Sequence, residues 1–233
     1  MLLIGNALVL PLLPFPNSFH ARLVQFAISR ICRIFFAGCR FFGLLYCDLS
    51  ALDEINRRKG LVVVPNHPAM IDAFLVLSRV NRMICIMKGR LETNLFLGAG
   101  AKLAGYVSNR YTERMLREAI AKVKAGDHLL LFPEGTRTTE TPVNTFHGTA
   151  ALIAKKAKVN LLPVFIYTNS PYLTKSWPIW KPPQFPVCYQ VKLGEEIEAS
   201  GVVAETTKRL QDLYQDQQFI DLRYTLDRQL RSK

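Results

Sequence analysis

The chain has 233 residues, 49% of them hydrophobic, and carries 30 Lys plus Arg against 18 Asp plus Glu, a net charge of +12. Nothing in it resembles a linker long enough to separate two domains, so one sizeable core with terminal helical additions is expected. The positive balance predicts an anionic partner, whether acidic lipid headgroups, coenzyme A, a carrier protein or nucleic acid, and the five cysteines, odd in number and without paired spacing, argue against a disulfide framework.

Met1 to Pro16 are apolar, begin without a basic region and are interrupted by Pro11, Pro14 and Pro16. They match neither a cleavable signal nor a full membrane span and read as a shallow hydrophobic anchor. Ser18 to Tyr46 lack proline, are rich in Phe, Ile and Leu, and carry Arg22, Arg30, Arg33 and Arg40. Helical spacing puts Arg22, Arg33 and Arg40 on one face with Arg30 beside them. A basic stripe on a greasy helix suits the membrane interface, and arginines at these positions disfavour a spanning helix. A helix packed on the core with a solvated arginine edge would show the same pattern.

Leu61 to Val64 form a strand-like apolar run that leads into Asn66-His67-Pro68-Ala69-Met70-Ile71-Asp72. A turn after the strand leaves His67 on a loop and Asp72 in the first turn of a helix over Ile71 to Arg79. The turn is what can bring the two together, since residues five apart in one helix point away from each other. An imidazole titrates near about 6.5, so with a carboxylate on its other nitrogen it can accept a proton from an alcohol. A helix-capping histidine beside a solvated acid would have the same spacing.

A strand follows at Met83 to Met87, then a helix over Leu91 to Ala104 and another over Thr112 to Ala125. Gly98-Ala99-Gly100 begins like a dinucleotide fingerprint, but Leu103 stands where the third glycine belongs. Leu129 to Phe132 read as a buried strand running into Pro133-Glu134-Gly135-Thr136-Arg137, where Pro and Gly mark a sharp turn. Gly135 lets backbone approach an anion closely, and Arg137 offers a planar fork of donors suited to phosphate. A helix over Phe146 to Lys156 and strands over Leu161 to Tyr167 and Val187 to Leu193 complete the alternation. Between those strands, Pro171 to Pro186 hold Tyr172, Trp177, Trp180 and Phe185 among prolines. This segment is either an interfacial or acceptor-shaping loop, or a stiffened cover on the core. Leu210, Leu213, Leu222, Leu226 and Leu230 in the tail predict amphipathic helix.

The two polar turns resemble the motifs of the lysophospholipid acyltransferase family. Asn66, His67 and Asp72 match its Asn-His-x4-Asp element, and Phe132 to Arg137 match Phe-Pro-Glu-Gly-Thr-Arg without a change. Gly105 to Arg110 are similar to its Gly-x-x-apolar-x-Arg element, and Leu162-Pro163-Val164 to its late Val-Pro-Val segment. The resemblance covers residues 60–168. Departures are Pro68 and Ala69, where polar residues are common, and His147-Gly148 after Phe146, where a basic residue is common.

The resemblance implies an α/β domain with one central, mostly parallel or mixed sheet flanked by helices, spanning residues 48–233 behind a membrane-associating segment at 1–47. It implies His67 as general base held by Asp72, with Arg110, Glu134, Gly135, Thr136 and Arg137 on the acceptor side. Glu134 is expected to hold the acceptor or Arg137 rather than to move protons. Backbone N–H groups near Asn66 to Met70 are one source of oxyanion donors. No Gly-x-Ser-x-Gly, His-Glu-x-x-His, Cys-x-x-Cys or Walker lysine loop occurs. Direct transfer from an acyl-coenzyme A or acyl-carrier-protein thioester, with no metal and no resident cofactor, is therefore expected. The expected acceptor is a lysophosphatidate-like hydroxyl lipid, at the cytoplasmic face of the inner or plasma membrane. The departures leave open an amino-acid lipid, a sugar lipid or a carrier-bound product. A non-enzymatic lipid-binding protein is a further alternative, and nucleic acid is not expected because no recognition motif is present.

Overall fold

The computed structural model describes residues 17–87, 89, 98–140, 142–178 and 180–216. The expected anchor at Met1 to Pro16, most of the helix expected before Gly98 and the tail leucines Leu222, Leu226 and Leu230 lie outside these residues.

Helix α1 (Asn17–Phe41) is followed by strand β1 (Leu45–Asp48), a 3-10 helix (Ser50–Arg57), β2 (Val62–Pro65), α2 (Asp72–Arg79), β3 (Met83–Met87), α3 (Gly98–Leu103), β4 (Val107–Ser108), α4 (Thr112–Lys124), β5 (His128–Leu130), α5 (Thr149–Ala157), β6 (Leu161–Thr168), β7 (Val187–Leu193) and α6 (Val203–Gln215). The strands form one sheet in the order β1-β7-β6-β2-β5-β3-β4. All neighbours are parallel except β6 and β7, whose pairing runs from Val164 opposite Leu193 to Thr168 opposite Tyr189. The sheet is thus mixed, with helices on both faces, as the strand–helix alternation predicts.

Successive residues of β2 face opposite layers. Val62 and Val64 join Leu129, Met115, Ala119, Ile153, Leu210 and Tyr214 beneath α4, α5 and α6. Val63 joins Leu75, Val76, Leu52, Ile55 and Phe36 beneath α1, α2 and the 3-10 helix. Burial on both faces explains why β2 reads as an unbroken run of valine instead of an alternating strand. At its start, Gly60 has φ +62°, and a Cβ there would stand 2.7 Å from the Val123 carbonyl oxygen, so only glycine closes this turn.

The stretch from Ser18 to Tyr46 is not one helix. Gly43, at φ +67°, breaks it after Phe41, and the chain continues into edge strand β1, which pairs with β7. The segment boundary set at residue 47 therefore falls inside β1. The arginine stripe also differs from expectation. Arg33 turns inward and donates to the Ser78 carbonyl at 2.5 Å, satisfying a last-turn carbonyl of α2, while Arg22, Arg30 and Arg40 stay exposed. The α5 helix starts at Thr149 and not at Phe146, and the Phe146 and His147 amides ahead of it bond to Gln211 and to the Pro133 carbonyl.

Candidate active site

Parallel β2 and β5 are neighbours, so the turns that follow them lie side by side at the carboxyl end of the sheet. His67 follows β2, and Asp72 opens α2. His67 Nδ1 lies 2.9 Å from Asp72 Oδ2, which also accepts the Ala69 N–H at 2.7 Å. Ionised Asp72 only accepts, so Nδ1 carries the hydrogen and Nε2 is the basic nitrogen. The Asp72 side chain is fully buried, and that burial pushes its carboxyl up to about 6 despite the hydrogen bonds from His67 and Ala69. The His67 side chain is 18% exposed, and its ring stacks on Phe132 with centroids 3.9 Å apart. The imidazole is thus held from one edge and one face while its remaining nitrogen is available to a substrate.

Glu134 ties the two turns together. Its buried carboxylate accepts the His67 N–H at 2.9 Å, the Thr138 hydroxyl at 2.8 Å and the Asn144 N–H at 2.9 Å. The Thr138 N–H in turn donates to the His67 carbonyl at 2.8 Å. Expected to hold the acceptor or Arg137, Glu134 is bonded in this structure to the His67 backbone, the Thr138 hydroxyl and the Asn144 backbone. The expected oxyanion donors are also engaged. His67 N–H goes to Glu134, Ala69 N–H to Asp72 and Met70 N–H to the Leu173 carbonyl, while Pro68 has none. Gly135 takes φ +65°, so this turn needs glycine for its conformation, and its Cβ position faces the exposed His147 ring at 3.1 Å. Thr136 lies partly exposed on the same turn.

Arg137 sits beside the dyad, but Nη1 is bonded to the carbonyls of Leu173 and Thr174 at 2.9 and 2.8 Å. Arg110 is placed elsewhere. It lies exposed after edge strand β4, over the Tyr111 ring, and β4 stands three strand spacings from β2, roughly 14 Å. Sequence reasoning missed three supports. Asn66 exchanges two side-chain bonds with the Ile166 backbone, at 2.7 and 2.9 Å. Asn144 accepts from the Thr139 hydroxyl and the Thr139 and Glu140 amides. The Leu173 carbonyl receives both Met70 and Arg137. Asn66 stood in a matched motif, whereas a backbone carbonyl leaves no trace in sequence.

The profile of the acyltransferase family matches residues 48–167, more than half of the chain, a span that includes His67, Asp72, Arg110, Glu134 and Arg137. The chain belongs to the acyltransferase family. Two sequence relatives agree. A 1-acyl-sn-glycerol-3-phosphate acyltransferase of Pseudomonas aeruginosa is 24% identical over 211 residues, covering 86% of this chain and 78% of that protein. The chloroplastic 1-acyl-sn-glycerol-3-phosphate acyltransferase LPAT1 of Arabidopsis thaliana is 22% identical over 170 residues, 70% of this chain and 45% of the plant protein. The crystal structure of the 1-acyl-sn-glycerophosphate acyltransferase PlsC from Thermotoga maritima superposes with a TM-score of 0.70 over 95% of this chain and 94% of that one, at 22% identity. That likeness shows that this acyltransferase shares its α/β fold, with the helix preceding the sheet included.

Proposed function

We propose that this acyltransferase moves a fatty acyl group from an acyl-coenzyme A or acyl-carrier-protein thioester to the hydroxyl of lysophosphatidate or a close relative, on a membrane surface. The observation that carries the reading is the His67–Asp72 bond, which leaves Nε2 as a base at an accessible site. The acceptor O–H gives its proton to Nε2 as its oxygen attacks the thioester carbonyl carbon. The carbonyl becomes a tetrahedral oxyanion, which collapses with cleavage of the C–S bond. The imidazolium then returns its proton to the leaving thiolate, so His67 is regenerated in each turnover. A positioned base of this kind contributes about 10² to 10⁴-fold. The relatives, both 1-acyl-sn-glycerol-3-phosphate acyltransferases, supply the acceptor class, and Arg137 beside the dyad offers its remaining guanidinium edge to a phosphate.

Support for the membrane surface comes from α1. Its outward face presents Phe26, Ile31, Ile34, Phe35 and Phe41, with Ile34 67% exposed and Phe41 84% exposed. Arg22 and Arg40 edge this face, and Arg30 lies within it, over the Phe26 ring. An apolar face rimmed by arginine suits lipid headgroups above an acyl boundary. Among the described residues, no helix is long and apolar enough to cross a membrane.

A second reading, an acceptor without a phosphate, is favoured by one observation. Arg137 Nη1 is held by two backbone carbonyls, and Arg110 stands three strands away. Detergent-purified protein and its His67→Ala variant, incubated with acyl thioesters and a panel of lysophosphatidate, glycerol 3-phosphate and uncharged hydroxyl lipids, distinguish the two by mass spectrometry. Acylated lysophosphatidate that vanishes in the variant is the expected result. Transfer only to an uncharged acceptor would move the enzyme to another lipid, and a fully active, folded His67→Ala would remove the mechanism.

A further inference from the structure

The connection between β6 and β7 is bolted at both ends to parts of the molecule with known positions. At its start, Leu173 accepts the Met70 amide of the catalytic turn and the Arg137 guanidinium, and Tyr172 and Leu173 pack on the core beneath α2. At its end, the Asn169 side chain donates to the Pro186 carbonyl and accepts the Cys188 amide, and the Val187 amide donates to the Leu44 carbonyl just past α1. Between these anchors the loop is internally braced. Tyr172 and Trp177 meet edge to face, the Trp177 indole donates to the Lys181 carbonyl, and the Lys181 ammonium lies over the same ring.

A loop braced in this way still leaves its largest side chains without cover. Trp180 is 87% exposed and Phe185 is 52% exposed, whereas Pro183 and the Leu173 end are covered. Phe185 precedes the strand that pairs with Leu45, so it lies at the sheet corner where Phe41 and Phe42 end α1, also uncovered. Because β1 runs antiparallel to β6, this corner is at the same end of the sheet as His67. Lys175 and Lys181 add exposed cations to the loop, and Arg40 near the end of the helix is exposed as well. Exposed aromatic rings interspersed with cations match an anionic bilayer surface, where rings enter the boundary and ammonium groups meet phosphates.

We infer that the segment from Pro171 to Pro186 is a second membrane-contacting element, with Trp180 as its interfacial anchor, which together with α1 sets the catalytic turn against the lipid surface from two sides. The inference rests on the membrane reading above and extends it to a part of the chain distant in sequence from the amphipathic helix. Its consequence is orientational. One helix on a membrane leaves the domain free to rock about the helix axis, whereas a second contact fixed to Met70 and Arg137 holds the mouth of the site at the depth of a lipid hydroxyl.

The chain contains two tryptophans, which makes the test direct. In full-length Trp177→Phe protein, emission reports Trp180 alone. Addition of vesicles of phosphatidylcholine and phosphatidylglycerol in equal parts is expected to shift that emission to the blue and to expose it to quenching by lipids brominated near the headgroup end of the acyl chain. Protein that cosediments with the vesicles while Trp180 emission stays unshifted and unquenched would overturn the inference, and so would protein that does not cosediment. A Trp180→Ala variant, checked for an unchanged melting transition, is expected to bind the vesicles roughly tenfold more weakly. Its KM should rise for vesicle-embedded lysophosphatidate, with kcat on a short-chain, monomeric lysophosphatidate unchanged. Loss of activity on the short-chain acceptor would contradict a surface role for Trp180. Failure of wild-type protein to acylate any lysophosphatidate would remove the acceptor assignment while leaving the fluorescence result to decide the loop.

Discussion

Asp72 carries a cost that goes with the role proposed for it. Burial holds its carboxyl at about 6, against an ordinary value of 3.8, so the folded protein binds this proton more tightly than the unfolded chain does. Between those values stability rises as pH falls, and above about 6 the full penalty of the buried charge stands. Asp72→Asn removes the penalty and the support of the imidazolium together. At pH 8 the variant should be on the order of 1–3 kcal/mol more stable than wild type by denaturant melts, with the gain shrinking as pH falls from 6 toward 4. Its turnover should drop by roughly 10² to 10⁴-fold. A variant both inactive and destabilised at pH 8 would contradict this account. Glu134 works differently, because both of its carboxylate oxygens accept hydrogen bonds, Oε1 from His67 and Thr138 and Oε2 from Asn144, whereas the bonds to Asp72 all fall on Oδ2. Glu134→Gln turns an amide N–H toward one of those donors and leaves a buried group unmatched, a cost of about 1–3 kcal/mol. Steady-state kinetics should show this mainly in kcat, since the group displaced is the backbone of His67 and not a substrate contact.

Among the elements, α6 has an effect out of proportion to its contact with the site. Tyr214 is fully buried, its hydroxyl donates to the Val64 carbonyl, and it accepts the Val164 amide at 3.0 Å. One phenol therefore clamps β2 to β6 immediately before the turn that carries His67. Tyr214→Phe keeps the ring contacts with Phe146 and Phe165 but leaves the Val164 N–H buried without this partner. A loss of about 1–3 kcal/mol in chemical denaturation is expected. Strands Met83–Met87 and Val187–Leu193 were legible residue by residue in the sequence, because short β-branched and apolar runs between turn residues allow little else. Strand β1 was not, since its four residues continue the apolar character of α1 and only Gly43 marks the break. Two-residue β4 is too short to leave a pattern. The dyad was legible because its members are five residues apart and share one turn. The Glu134 clamp and the Leu173 anchor were not, for they join segments 67 and more than 100 residues apart, and in each at least one partner is a backbone group common to every residue.

For the whole molecule, the net charge of +12 and the apolar face of α1 point toward an anionic surface. Binding to phosphatidylglycerol-containing vesicles should weaken as salt rises and the Debye length shortens from about 10 Å at 0.1 M to about 3 Å at 1 M, leaving a salt-resistant remainder from apolar insertion. Complete loss of binding at high salt would remove the role given to the exposed Phe and Ile side chains. The Tyr214 clamp has a further consequence for the order in which the enzyme comes into being. The strand that presents His67 emerges from the ribosome early, but the hydroxyl that secures it belongs to a residue made 150 positions later. A nascent chain can therefore form the motif-bearing strand long before it can catalyse, and a polypeptide halted ahead of α6 should possess both His67 and Asp72 and yet show no turnover.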